Sequence, residues 1–176
     1  RIQIMTDNGI DLVSNQVQYS IIDQRPNVKM ASFCKNHNMN LLTYGTILGG
    51  LMSEKYLGAD EPTDSSLNTF SLQKYKNMID AWGGWQLFQQ LLEILDTIAK
   101  KHNVKIANIA TRFVLDKPQV AGVIIGARLG LSDHILQNLK TFELKLDVDD
   151  YDKIRSVTDK SNDLYSTIGD CGGEYR

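Results

Sequence analysis

Short runs of strand-forming residues in IDLVSNQVQYSII, MNLLTYG and QVAGVIIGA alternate along this chain with amphipathic helical runs. That alternation restricts the fold more than any other feature. Strands separated by helices pair in parallel through right-handed crossovers, and such a sheet needs cover on both faces. Val13, Val17, Tyr19 and Ile21 mark the first strand, and Asp23 to Pro26 break it. In NVKMASFCKNHN, Val28, Met30, Ala31, Phe33 and Cys34 have the spacing of one helical face.

The clearest helix is WQLFQQLLEILDTIAKKHN. Leu87, Phe88, Leu91, Leu92, Leu95, Ile98 and Ala99 make its apolar stripe, and Lys100, Lys101 and His102 suit its C-terminal end. KIANIATRFVLDK is a second helix, with Ile106, Ile109, Ala110, Phe113 and Val114 inward and Pro118 beyond its end. LSDHILQNLKTF, with Ser132 as its cap, and DVDDYDKIRSV, acidic at its start, complete the set. Glu54 to Lys76 reads as a polar loop, and STIGDCGGEYR as an irregular tail. RIQIMTDNG reads as the last turns of a helix closed by Gly9, as in a piece of a longer fold.

The expected class is α/β, with parallel strands and flanking helices. A complete (β/α)8 barrel needs about 250 residues, so 176 residues hold three of its βα units. Two bare sheet edges then predict either a homo-oligomer or a missing N-terminal half that covers them. A net charge of -2 gives no basic field for nucleic acid or an anionic membrane, and no apolar run approaches a membrane span. Cys34 and Cys171 lack metal-ligand spacing and read as free thiols of a reducing, cytoplasmic compartment. No metal site is expected. His37, His102 and His134 read as surface residues, and Met30, Met39, Met52 and Met78 as core filler.

LLTYGTILGG, residues 41–50, raises the functional question. Tyr44 ends a strand and Gly45, Gly49 and Gly50 follow it, which suits either a loop lying close against a ligand or an ordinary strand-to-helix turn. Trp82 and Trp85, around Gly83 and Gly84, suit either a pocket lining or packing beneath the long loop.

VSNQVQYSIIDQRP, LLTYGTILGGLMSEKYLG and VAGVIIGARLGLSDHILQNL, in that order, resemble the sixth, seventh and eighth strands of an aldo-keto reductase with their loops. GDCGGEYR resembles the tail of some microbial and fungal members. The resemblance makes residues 1–176 a partial domain of a (β/α)8 TIM barrel that lacks strands one to five. It implies NADP as cofactor and a small carbonyl or alcohol as substrate. By the same resemblance, Tyr44 stacks on the nicotinamide, and Gln16, on a buried strand, bonds its carboxamide. The loop of Gly45, Thr46, Ile47, Leu48, Gly49 and Leu51 wraps the pyrophosphate through backbone amides. Gly126 ends the last strand and Arg128 falls where relatives contact the 2'-phosphate, although the Gly126 to Asn138 spacing is slightly longer than in some of them. His134 and Gln137 match further adenosine-side positions, and Asn138 the asparagine that reads the adenine amino group.

Catalysis in that family uses an aspartate, a tyrosine, a lysine and usually a histidine from early strands that this chain does not contain. Ser14 and Asn15 lie in the sixth-strand match and are not the family's Ser-Asn pair. No catalytic residue is therefore expected here, and the chain alone should be inactive. The family also includes channel β-subunits, so a non-catalytic, cofactor-sensing assembly module is the competing expectation.

Overall fold

A computed structural model describes residues 2–127 and 134–172. Three parallel strands, β1 (Ser14–Gln18), β2 (Asn40–Tyr44) and β3 (Val120–Val123), lie in the order β1-β2-β3. β1 and β2 pair from Ser14 opposite Asn40 to Gln18 opposite Tyr44. β2 pairs with β3 through Leu41–Val120 and Leu42–Gly122, with a register shift between Leu41 and Leu42. Short α1 (Ile2–Asp7) precedes β1, and α2 (Met30–Asn36) makes the first crossover. Alternation along the strands turns Val17 and Leu41 towards α2, where they pack with the buried Cys34 and Met39. Gln16, Leu42 and Tyr44 stand on the opposite face.

Between β2 and β3 lie α3 (Phe70–Trp82), α4 (Gly84–His102) and α5 (Ile106–Leu115). The segment from Glu54 to Lys76, expected as loop, is helical from Phe70 onwards. Thr69 caps α3 by accepting from Leu72 N at 3.2 Å, and Leu72, Tyr75, Ile79 and Trp82 are buried at helical spacing. Gly83 turns the chain into α4 at φ +155°, and a Cβ there would stand 2.5 Å from Leu87 Cδ2. Trp85 packs beneath that loop, while Trp82, although buried, also borders a separate cavity of about 210 Å³ with Ile21, Arg25 and Leu164. Trp85 donates its indole N–H to Ala59 O at 3.0 Å and meets Tyr56 edge-on, which fastens the preceding loop onto α4.

The stripe on α4 buries Phe88, Leu91, Leu92, Leu95, Ile98 and Ala99 against Ile109, Ala110, Phe113 and Val114 of α5. Fully burying each large side chain contributes about 1.5–3 kcal/mol. After β3 come α6 (Ile135–Leu139), α7 (Val148–Thr158) and α8 (Leu164–Ile168). Ile154 and Val157 of α7 and Leu164 of α8 join the main core. The tail thus begins as a helix, because Asp163 accepts from Tyr165 N and Ser166 N at 2.9 and 3.3 Å. Its residues 173–176, like the expected cap Ser132, lie outside the described residues.

His102 is not a free surface group. It shares the fully buried Asp150 with Lys101, at 2.7 and 2.8 Å, which pins the end of α4 to the start of α7. Among the described residues, no helix is long and apolar enough to cross a membrane.

Candidate functional site

A cavity of about 540 Å³ opens at the C-terminal ends of β2 and β3, where ligands bind in parallel α/β sheets. Tyr44 stands at its β2 side, followed by Gly45, Thr46, Ile47, Gly49 and Gly50. Ile124 to Ala127, including Gly126, continue β3 along a second wall. His134, Ile135 and Asn138 close it from the start of α6. Residues about eighty positions apart, such as Tyr44 and Gly126, thus meet because β2 and β3 are register partners.

Gly45 explains why the turn after Tyr44 carries glycine. Its φ is +71°, and a Cβ would stand 2.5 Å from Tyr75 Oη and 3.0 Å from Gln18 Cγ. A larger residue would meet the tyrosine and also strain the backbone. At Gly50 and Gly126, by contrast, a Cβ would meet nothing within 4 Å, so these two leave bare backbone along the cavity. The φ of +103° at Gly50 accounts for glycine there, whereas Gly126 is open backbone without that constraint.

The remaining expectations are redistributed. Leu48 and Leu51 are fully buried and pack into the main core instead of facing the cavity. The amides of Leu48, Gly50 and Leu51 donate to Gly45 O, Ile47 O and Leu48 O at 3.0, 2.9 and 3.2 Å. These bonds stiffen the loop from within, which leaves fewer amides for a ligand than a fully open cradle. Thr46 does line the cavity, but its hydroxyl donates to Tyr19 O at 3.1 Å. Gln16 shares the sheet face of Tyr44 yet is exposed, because no described element covers that end of β1. Two residues on, Gln18 is the buried glutamine. It donates to Asp23 Oδ2 at 2.8 Å, and its Oε1 is buried without a hydrogen-bond partner among the described residues. Gln137 does not line the cavity, since its side-chain amide donates to Asn108 Oδ1 at 2.7 Å. Arg128 lies outside the described residues.

Thr69, the cap of α3, and Ser71 and Tyr75 within that helix form a wall that sequence reasoning missed. Lys74 beside them holds its ammonium 5.4 Å from the Tyr44 ring centre and 4.4 Å from that of Tyr75. The spacing of Leu72, Tyr75, Ile79 and Trp82 was the signal that could have revealed this helix, and Thr69 its cap.

Residues 1–159 match the Aldo/keto reductase family. The chain belongs to that family. It is 32% identical over 119 residues to flagellar radial spoke protein 5 of Chlamydomonas reinhardtii, covering 66% of this chain and 22% of that one. It is 26% identical over 159 residues to a probable voltage-gated potassium channel subunit beta of Oryza sativa subsp. japonica, covering 85% of this chain and 46% of the relative. The chain therefore spans less than half the length of either relative. Among solved structures, the glycerol dehydrogenase AKR11B4 of Gluconobacter oxydans superposes with a TM-score of 0.67 at 15% identity, over 96% of this chain and 47% of that one. An aldo/keto reductase of Klebsiella pneumoniae in complex with NADP and acetate gives 0.53 at 12% identity, over 83% and 39%. The fold is accordingly the C-terminal portion of an aldo-keto reductase (β/α)8 barrel.

Within this aldo/keto reductase chain, the other polar clusters hold structure together. Arg25 grips Asp23 with Nε and Nη2 at 2.8 and 2.9 Å, both side chains being buried, and its Nη1 reaches Gly169 O and Asp170 O at 3.3 Å. That pair ties the loop after β1 to the tail. Asp147, Asp149 and Asp150 gather at the start of α7. There Asp147 caps the helix, accepting from Asp150 N at 3.0 Å, and Lys101 answers the charge of Asp147 and Asp150. Burial pushes the Asp150 carboxyl up, but hydrogen bonds from Lys101, His102 and Asp147 N outweigh it and hold it at about 2.

Proposed function

We propose that this chain supplies the cofactor-binding part of an NADP-dependent aldo-keto reductase. The observation that carries the proposal is the single cavity in which Tyr44, the glycine-bearing loop after it, Gly126, His134 and Asn138 converge. Its volume lies within the range of small-molecule sites. Open backbone at Gly126, the Tyr44 ring and the amide of Asn138 form a stacking and hydrogen-bonding set that fits an extended dinucleotide. The NADP in the Klebsiella pneumoniae relative supports the same choice.

NADPH bound there would supply a hydride to a carbonyl carbon. The residues of this chain orient it. The Tyr44 ring offers a stacking face for the nicotinamide, which leaves the other side of that ring to the substrate. Gln16 is the proposed carboxamide partner from the same sheet face. Asn138 offers both a donor and an acceptor to the adenine edge. Arg128 is the proposed cation for the 2'-phosphate, for which a bidentate guanidinium is suited. The proton donor and its tuning partners would come from barrel strands one to five, so this chain alone is expected to bind without turnover.

The test is titration of the full polypeptide and of residues 1–176 with NADPH, followed by calorimetry and by the thermal midpoint. Saturable binding that raises the midpoint is expected for both, and Tyr44→Ala or Asn138→Ala weakens it. Absence of binding to the full polypeptide overturns the proposal. Similarity to the rice channel subunit supports a second reading, a cofactor-sensing assembly module. Tight NADPH binding by a multimeric full polypeptide, with no oxidation of NADPH across a panel of aldehydes and ketones, would favour it.

A further inference from the structure

The helix that carries Asn138 has little apolar hold on the protein. α6 spans five residues, none of them buried, and Ile135, Leu136 and Leu139 are 52%, 79% and 50% exposed. Its first turn nevertheless forms a wall of the cavity through Ile135 and Asn138, with His134 immediately before it. Hydrogen bonds to a neighbouring helix hold it in place. Asn108 of α5 is 1% exposed and donates to Gln137 O at 2.8 Å and to Thr141 Oγ1 at 2.9 Å. Gln137 Nε2 returns a bond to Asn108 Oδ1 at 2.7 Å, and the same oxygen accepts Lys105 N at 3.1 Å. Every hydrogen-bonding group of the Asn108 amide is therefore directed, and α5 itself is anchored by Ile109, Ala110, Phe113 and Val114 in the main core.

We propose that Asn108 is a positioning residue for the adenosine end of the dinucleotide site. It acts through Gln137 and Thr141 to hold α6, and with it Asn138, against the cavity. The inference rests on the dinucleotide reading above, but it assigns Gln137 a different part. Gln137 serves the site by bonding Asn108 and does not touch the ligand. Because the buried amide pair is reciprocal, changing either partner leaves the other short of a bond. The nicotinamide end, set by Tyr44 at the tip of β2, lies outside this chain of bonds.

The experiment compares NADPH with reduced nicotinamide mononucleotide, which lacks the adenosine half, by fluorescence titration of the full polypeptide. Asn108→Asp keeps the volume and replaces the donor facing Gln137 O and Thr141 by an acceptor. Gln137→Ala removes one bond at a half-buried position and serves if the first variant does not fold. Each is expected to weaken NADPH about tenfold while leaving the mononucleotide unchanged. A merely structural role would lower the thermal midpoint and weaken both ligands together, and that result overturns the proposal. Unchanged NADPH affinity in Gln137→Ala overturns it as well. Failure of the wild type to bind NADPH removes the dinucleotide reading and this inference with it, whereas loss confined to neither ligand in the variants removes the inference alone.

Discussion

Phe88 on α4 and Gln16 on β1 both stand well inside their elements, yet Phe88 is 0% exposed and Gln16 faces solvent. Around Phe88, residues from α3, α4, α5, α7 and α8 form one continuous apolar cluster. Around β1 and β2, the buried cluster on the α2 side holds Val17, Cys34, Met39 and Leu41. The helical layer therefore has its own core, while the sheet is covered well on one face and poorly on the other. The cavity lies at the rim between the two. A rigid helical wall supports Tyr75, and the strand ends deliver Tyr44 and Gly126 to the cavity. Such a division is what a binding site on loops above a packed scaffold needs.

The largest expected effect breaks the helical side. Phe88→Ala should cost about 3–5 kcal/mol, the sum of lost burial and the cavity left behind. Val17→Ala, in the smaller cluster, should cost about 1.5 kcal/mol for two methyl-sized groups. Urea unfolding of both variants checks the ranking. Equal losses would mean that the two clusters form one cooperative unit of similar density.

Next in size is the pin between α4 and α7. Asp150→Asn leaves Lys101 and His102 without their shared carboxylate and should lower stability near neutral pH, an effect moderated because both partners are partly exposed and Lys101 keeps Asp147. The pH dependence follows from the depressed carboxyl, held at about 2 in the folded chain against 3.8 ordinarily. A folded value below the unfolded one means that the stabilisation is present above about pH 4 and is lost as pH falls towards 2. Urea midpoints recorded from pH 6 down to pH 2 should therefore drop more steeply for the wild type than for Asp150→Asn. Parallel curves would show that the pin contributes no linkage.

The same contrast explains what could be read from the sequence. α4 was legible because its seven buried residues repeat with helical period and have few polar interruptions. α3 was hidden because Ser71, Gln73, Lys74 and Asn77 dilute an equally regular stripe, and the Ser- and Thr-rich stretch before it reads as loop. At the site, Tyr44, Gly45 and Gly126 were legible because strand-end glycines are local signals. The partners that fix their surroundings were not. Asn108 and Gln137 are separated by 29 positions, and Gln18 and Met78 by 60, so only the fold brings each pair together. Burial of the glutamines was also beyond a local pattern. Gln16 and Gln18 share one strand face, and Asp23 and Met78 decide that Gln18 is the covered one.

The smallest expected effect concerns Gln16. In the 176-residue chain its side chain is solvated, so Gln16→Val should change stability by less than about 0.5 kcal/mol. In a longer chain that completed a barrel the expectation would differ, because the Tyr44 face of β1 and β2 would then face inward. A valine there would remove the proposed partner of the carboxamide and weaken NADPH, while filling space that an amide had occupied with its bonds made. Urea midpoints for Gln16→Val in both contexts separate the two situations. A loss above about 1 kcal/mol in the short chain would mean that something already covers this face, such as a second copy, and sedimentation velocity on the same sample would then detect it. A negligible change in both contexts would leave the face open even in the longer protein, and the contrast between the two sides of the molecule would be intrinsic to its fold.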